Sequence, residues 1–256
     1  MTRFSKLEFG DGFEKNKDRS DISGEEIRND EYFQKQAIRF WLAGDFELAL
    51  RNFSRSLEQN SAFYPGWLGQ VQMLIELREY KEAAVWVDKA LEMFPEHPEL
   101  LAIKAVALAR DGLTEKAVAY SDDTITKENL TPLVWLARAE VLMHRKSSIA
   151  QTCISKAISL AGQGEEGLLI HLMAGRILNA NGEYVSALQY LRMVTDEIPK
   201  SALAWYELGY AQAGLAKPEA KICFEQALKF HPKWLLAEEA IRKTDKKGFF
   251  SRLFGR

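Results

Sequence analysis

Small apolar residues recur along the chain at a nearly fixed interval. One register reads Ala37, Val71, Ala105, Ala139, Gly175 and Gly209, in steps of 34, 34, 34, 36 and 34. A second reads Ala49, Ala83, Ala117, Ala150, Ala187 and Ala220, in steps of 34, 34, 33, 37 and 33. Seven residues past the second stand Ser56, Ala90, Thr124, Ala157, Val194 and Ala227, and between them Phe53, Val87, Ser121, Ile154, Leu191 and Phe224. Offsets of four and seven trace one face of a helix. One turn ahead of the first register come Phe33, Trp67, Leu101, Trp135, His171 and Trp205, so a bulky side chain precedes each small one.

This pattern predicts two antiparallel helices per repeat, with small residues where their axes approach most closely and large ones filling the gaps beside them. Turn signals agree. Gly44-Asp45, Asp111-Gly112 and Asn181-Gly182 fall between the first and second helices of their repeats, where glycine admits the left-handed conformation that ends a helix. Pro95, Pro199 and Pro232 follow second helices, which proline cannot continue.

The order Trp205, Leu208, Gly209, Ala220, Phe224, Ala227, Pro232 resembles the pattern of the tetratricopeptide-repeat (TPR) family, and the likeness extends over about Asp30 to Pro232. It implies an all-α, right-handed α-solenoid of about six helix pairs. The expected repeats are 30–63, 64–97, 98–131, 132–167, 168–201 and 202–232, after an N-terminal arm at 1–29. A capping helix at 233–245 is expected to cover the apolar face of the last repeat, ahead of a basic aromatic tail at 246–256. Repeat three departs from the pattern at Ser121 and Thr124, and repeat four at Arg145-Lys146-Ser147-Ser148. Ala161 to Gly167, with three glycines, reads as an inserted loop and a bend.

Composition narrows the function. The 256 residues are 47% hydrophobic and 27% charged, a balance that folds. A formal charge of −2 gives no field for a polyanion, so nucleic acid is not an expected partner. The N-terminus lacks the unbroken apolar block of a secretory signal and no stretch reaches transmembrane length, so a cytoplasmic place is expected. Cys153 and Cys223 lie far apart, and His97, His144, His171 and His231 show no metal-ligand spacing. With no nucleophile elbow or phosphate-cradling glycine loop either, no enzyme, cofactor or metal is expected.

The resemblance further implies that first helices line a concave groove for a protein or peptide ligand. Its expected lining is Gln34, Ile38 and Trp41, then Leu68, Gln72 and Ile75, then Val106, with Leu136, Glu140 and Met143, followed by Leu172, Arg176 and Asn179, and finally Tyr206 and Tyr210. Ile38, Leu68, Ala102 and Val106 stand where family members that clamp a carboxylate carry basic or amide side chains. An apolar or amphipathic segment is therefore the expected ligand, and an adaptor or scaffold the expected role. Two end segments carry further expectations. Phe4, Leu7, Phe9 and Phe13 punctuate the N-terminal arm as a docking motif. From Arg242 onward six Lys or Arg stand against one Asp, a local charge of +5. Lys246, Lys247, Phe249, Phe250, Arg252, Leu253 and Phe254 would form a short basic amphipathic helix, suited to weak contact with an anionic membrane, a partner, or the groove of another copy in self-association.

Overall fold

The computed structural model describes residues 28–143 and 148–254, with side chains to residue 244. Among the described residues the chain forms thirteen helices and no strand. They run in pairs: α1 (Asp30–Leu42) and α2 (Phe46–Gln59), α3 (Tyr64–Glu76) and α4 (Tyr80–Met93), α5 (Pro98–Arg110) and α6 (Thr114–Thr124). The second half repeats the scheme with α7 (Pro132–Met143) and α8 (Ser148–Leu160), α9 (Gly164–Ala180) and α10 (Tyr184–Glu197), α11 (Ala202–Gly214) and α12 (Ala220–Phe230), closed by α13 (Leu235–Phe254).

Each small register is buried along its whole length: Ala37, Val71 and Ala139 are 0% exposed and Ala105 1%, as are Ala49, Ala83, Ala117, Ala150 and Ala187 at 0% and Ala220 at 1%. The reason is the close approach of first and second helices. A Cβ added at Gly209 would stand 2.8 Å from the Phe224 ring and 3.1 Å from the Ala220 carbonyl. Bulky Trp67 and Trp205 anchor the loops between repeats, their indole N–H groups donating to Ser61 O at 2.8 Å and Pro199 O at 2.9 Å.

The turn within each described repeat places one residue in the left-handed region at the same register. Gly44 (φ 78°), Gly112 (85°) and Gly182 (79°) do so without strain, whereas Arg78 (63°) and Ala216 (55°) carry a side chain there. The turn expected at Arg145-Lys146-Ser147 lies outside the described residues, and so does His144. In repeat three, polar Ser121 is answered by Arg138 of α7, whose guanidinium donates to Ser121 Oγ at 3.1 Å and to Asp122 Oδ1 at 2.9 Å. A neighbouring helix thus supplies the partner that a smaller, polar residue needs.

Two expectations change. The glycine-rich stretch from Ala161 to Gly167 is not a long loop: α9 begins at Gly164 and runs 17 residues, so the inserted residues lengthen a helix by about one turn. Gly167 belongs to that first turn because a Cβ there would meet the Gly162 carbonyl. The final helix likewise does not stop at residue 245, since α13 is continuous over 20 residues to Phe254.

First helices form the inner wall and second helices the outer. The inner helices contact one another in sequence from α1 to α11, and α11 returns to touch α1. The solenoid therefore closes into a ring. At the seam, Ser201 Oγ donates to Leu42 O at 2.7 Å, His231 Nδ1 lies 3.1 Å from Ala43 O, and the Trp234 ring covers Gly44, where a Cβ would be 3.0 Å away. His231 and Trp234 stack with centroids 5.1 Å apart, so the seam is built as a unit.

Candidate functional site

Ring closure turns the concave face into a lumen with two chambers that share Trp41, Gln72, Leu133 and Met173 as a waist. One chamber, about 340 Å³, lies toward the C-terminal ends of the inner helices. The other, about 370 Å³, lies toward their N-terminal ends.

The first chamber carries charged groups on a largely apolar wall. Glu76 (α3), Arg110 (α5), Glu140 (α7), Arg176 (α9) and Glu207 (α11) alternate in charge around its wall. Arg176 joins both sides: it makes a two-pronged ion pair with Glu76, the Nη2–Oε2 bond being 2.7 Å, and its Nε donates to Glu207 Oε1 at 3.0 Å. Arg110 Nε donates to Glu140 Oε1 at 2.5 Å. Burial works against the Arg176 charge, but the carboxylates of Glu76 and Glu207 outweigh it and hold its pKa above the ordinary arginine value. Glu140 does the same for Arg110 against the opposing effect of burial. Asn179 Nδ2 donates to both the backbone oxygen and Oε2 of Glu207, each at 2.9 Å. Trp41 Nε1 and Asn179 Oδ1 are buried without a hydrogen-bond partner among the described residues. Phe46, Tyr80, Tyr206 and Tyr210 complete the wall with rings.

The second chamber is mainly apolar, lined by Ile38, Phe53, Leu68, Leu169, Ile170 and Met173, with Glu99 and Glu166 among its polar groups. Glu99 is tied down by Tyr64, whose hydroxyl donates to it, and by Thr131 Oγ1 at 2.5 Å. Burial, followed by the nearby Glu99 charge, pushes the Tyr64 phenol well above its ordinary pKa, so it remains a donor.

Of the residues expected to line the groove, Ile75, Val106, Leu136, Glu140, Arg176, Asn179, Tyr206 and Tyr210 line the first chamber and Gln34, Ile38 and Leu68 the second, while Trp41 and Gln72 line both. Met143 and Leu172 line neither; they are 6% and 0% exposed and pack between helices. Trp41, Val106, Leu136 and Asn179 are also buried, and Tyr210 is 44% exposed. Sequence reasoning missed Glu76, Arg110 and Glu207. Their charges alternate along the chain, but at unequal steps of 34, 30, 36 and 31 residues from Glu76 through Arg110, Glu140 and Arg176 to Glu207, so only closure shows that these groups meet. The tail residues Lys246, Lys247, Phe249, Phe250, Arg252, Leu253 and Phe254 have side chains outside the described set, and the arm residues Phe4, Leu7, Phe9 and Phe13 lie outside the described residues.

The titratable candidates have structural places. Burial raises the Cys153 thiol pKa and pushes that of Cys223 up to about 11, which opposes thiolate chemistry. His171 Nδ1 lies 2.8 Å from Gly167 O, and His97 stacks on Tyr64 with centroids 4.1 Å apart. Among the described residues no helix is long and apolar enough to cross a membrane.

The tetratricopeptide-repeat family profile matches residues 35–98, the first two helix pairs, where the small and bulky registers are both occupied. Over those residues the chain matches the TPR family. Solved structures extend the same fold along the molecule. The chain is similar to the human IFIT1 dimer with m7Gppp-AAAA at 16% identity and a TM-score of 0.58, covering 88% of this chain and 55% of that one. It is similar to the APC/C hetero-tetramer Cut9-Hcn1 at 16% identity and a TM-score of 0.54, over 84% of this chain and 43% of that one. It is also similar to the type IV pilus biogenesis factor PilW at 13% identity and a TM-score of 0.50, over 83% of this chain and 98% of that one. The chain spans about half the length of the first two. No curated protein sequence matches it. A TPR solenoid is consistent with a protein–protein interaction scaffold.

Proposed function

We propose that this TPR chain is a non-enzymatic scaffold that holds an apolar or amphipathic segment of a partner protein through its lumen. The observation that carries the reading is the pair of joined chambers, both largely apolar and one of them ringed with charged groups, opening from a single wall. Each chamber, at about 340 and 370 Å³, has room for anchor side chains of the partner segment. Exposed Tyr210 and Leu236 at the first chamber offer initial contacts.

The acid–base wall argues against a polyanion, because Glu76, Glu140 and Glu207 offset Arg78, Arg110 and Arg176. The capped RNA of the IFIT1 complex is thus not carried over to this chain.

The test is affinity capture from the native host with quantitative mass spectrometry, comparing the intact chain with an Ile38→Ser, Ile170→Ser, Tyr210→Ala variant. These positions are at least partly exposed, so the variant keeps its helical circular dichroism. Partners lost only from the variant support the lumen; partners all retained would remove it.

A second reading has its own observation. Because α13 continues as helix to Phe254, the basic aromatic sequence it carries has the form of an in-plane membrane helix that would place the scaffold on an anionic bilayer. Flotation with vesicles containing anionic lipid, comparing the intact chain with Phe250→Glu/Phe254→Glu, decides it: loss in the variant supports the contact, and no flotation of the intact chain removes it.

A further inference from the structure

We infer that the seam between the first and last helix pairs is a latch, and that the ring opens there to admit its ligand. The inference rests on the reading of the lumen as a binding site and adds how that site is reached.

Three observations converge on the seam. First, it is the one closure of the ring that chain connectivity does not enforce: Leu42 and Ser201 are 159 residues apart, and Ala43 and His231 are 188 apart. Consecutive pairs are instead joined by short turns and by helices packed along their lengths. Second, its bonds are of a kind that water replaces. They reach the carbonyls of Leu42 and Ala43 at the C-terminal end of α1. Carbonyls recover hydration on separation, so parting these bonds costs less than exposing an apolar wall of the same extent. Ser201 even keeps a structural task after parting, since its Oγ also accepts from Ala204 N at 3.1 Å and caps α11.

Third, the closed ring leaves polar atoms unserved. Trp41 Nε1 and Asn179 Oδ1 are buried without a partner among the described residues, and both side chains line the first chamber. Opening the seam moves the α1 pair away from α9 and α11 and lets such groups be hydrated or meet a ligand. The same motion enlarges both chambers. The two states thus differ in hydration and lumen size, which is the differential a ligand needs in order to select one of them.

The experiment measures distances in the full chain by double electron–electron resonance, in a Cys153→Ala/Cys223→Ala background. One spin-label pair spans the seam at exposed positions, Arg51→Cys with Glu225→Cys; a control pair, Glu92→Cys with Lys156→Cys, lies on the continuous wall. Adding Trp234→Ala, which uncovers Gly44 at the seam, is expected to raise a longer-distance population at least tenfold across the seam and to leave the control pair unchanged. An unchanged seam distance, or equal broadening at both pairs, overturns the latch. A second measurement does not depend on weakening the fold: an Ala43→Cys/His231→Cys staple, oxidised and then reduced, with bis-ANS as the probe of lumen filling. The staple is expected to slow dye uptake at least tenfold, with recovery on reduction. Uptake at the same rate in both states also overturns the latch. A ring that opens yet captures no partner would instead count against the scaffold reading alone.

Discussion

The guanidinium of Arg176 grips the carboxylate of Glu76 across the lumen, although the two residues are 100 positions apart in the chain. That grip joins α3 to α9, and a further bond from Arg176 to Glu207 extends it to α11. Three inner helices thus share one guanidinium.

Removing that group leaves Glu76 without its ion pair and Glu207 with the Asn179 amide alone, at side chains only 17% and 11% exposed. Arg176→Ala is expected to lower unfolding stability by roughly 3 kcal/mol. Arg176→Ala combined with Glu76→Gln should lose less than the sum of the single changes, because the second change removes a stranded charge. Urea denaturation of the four chains measures this, and strict additivity would contradict the geometry.

Ala216 holds φ at 55° in the turn where three other repeats use glycine. Ala216→Gly relieves that strain, against some gain in unfolded-chain freedom, for a net stabilisation of about 0.5–1 kcal/mol. The reverse change, Gly182→Ala, should destabilise by about 1 kcal/mol. Calorimetric Tm values of opposite sign are the expected result.

Gly209 has Phe224 and the Ala220 carbonyl against it. Even one methyl group overfills the contact between α11 and α12, and Gly209→Ala is expected to cost about 1–3 kcal/mol. A Gly209→Ala, Phe224→Leu chain should recover part of the loss. If the single variant is as stable as the parent, the helices do not approach as described.

Alkaline pH should destabilise the fold in a defined window. Burial, then the Glu219 charge, pushes the Cys223 thiol from its ordinary 9.0 to about 11, and burial, then Glu207, pushes the Tyr206 phenol from 10.0 to about 12. Both folded values are raised, so the folded chain holds its protons longer than the unfolded one. The stability they contribute is complete below about pH 9 and is lost as pH rises through about 11 and 12. Urea midpoints from pH 7 upward should fall in that range, and Cys223→Ala should remove the earlier part of the fall.

How far the sequence could be read differs between registers. The small and large registers predicted buried contacts, and those contacts are present, because each depends on neighbours one helical turn or one repeat away. The lumen residues were legible only by analogy. Leu172 and Met143 share the register of true lining residues, yet they face other helices, because rotation of each inner helix decides which side meets the lumen. Glu76 and Glu207 gave no sign of their pairing, since nothing local to either names Arg176 as a partner.

The sequence by itself determined the repeat: the helix pairs, their close approach at Ala and Gly, the left-handed turns and the prolines that end second helices. Each of these is a local or nearest-neighbour interaction, and a period near 34 residues specifies it repeatedly. Only the tertiary structure decided that six pairs close into a ring, that Ser201 meets Leu42, and that charges from five inner helices face one lumen. The curvature behind that outcome is a small rotation at every interface, set by side-chain volumes acting together, and its sum appears only when all the pairs are assembled.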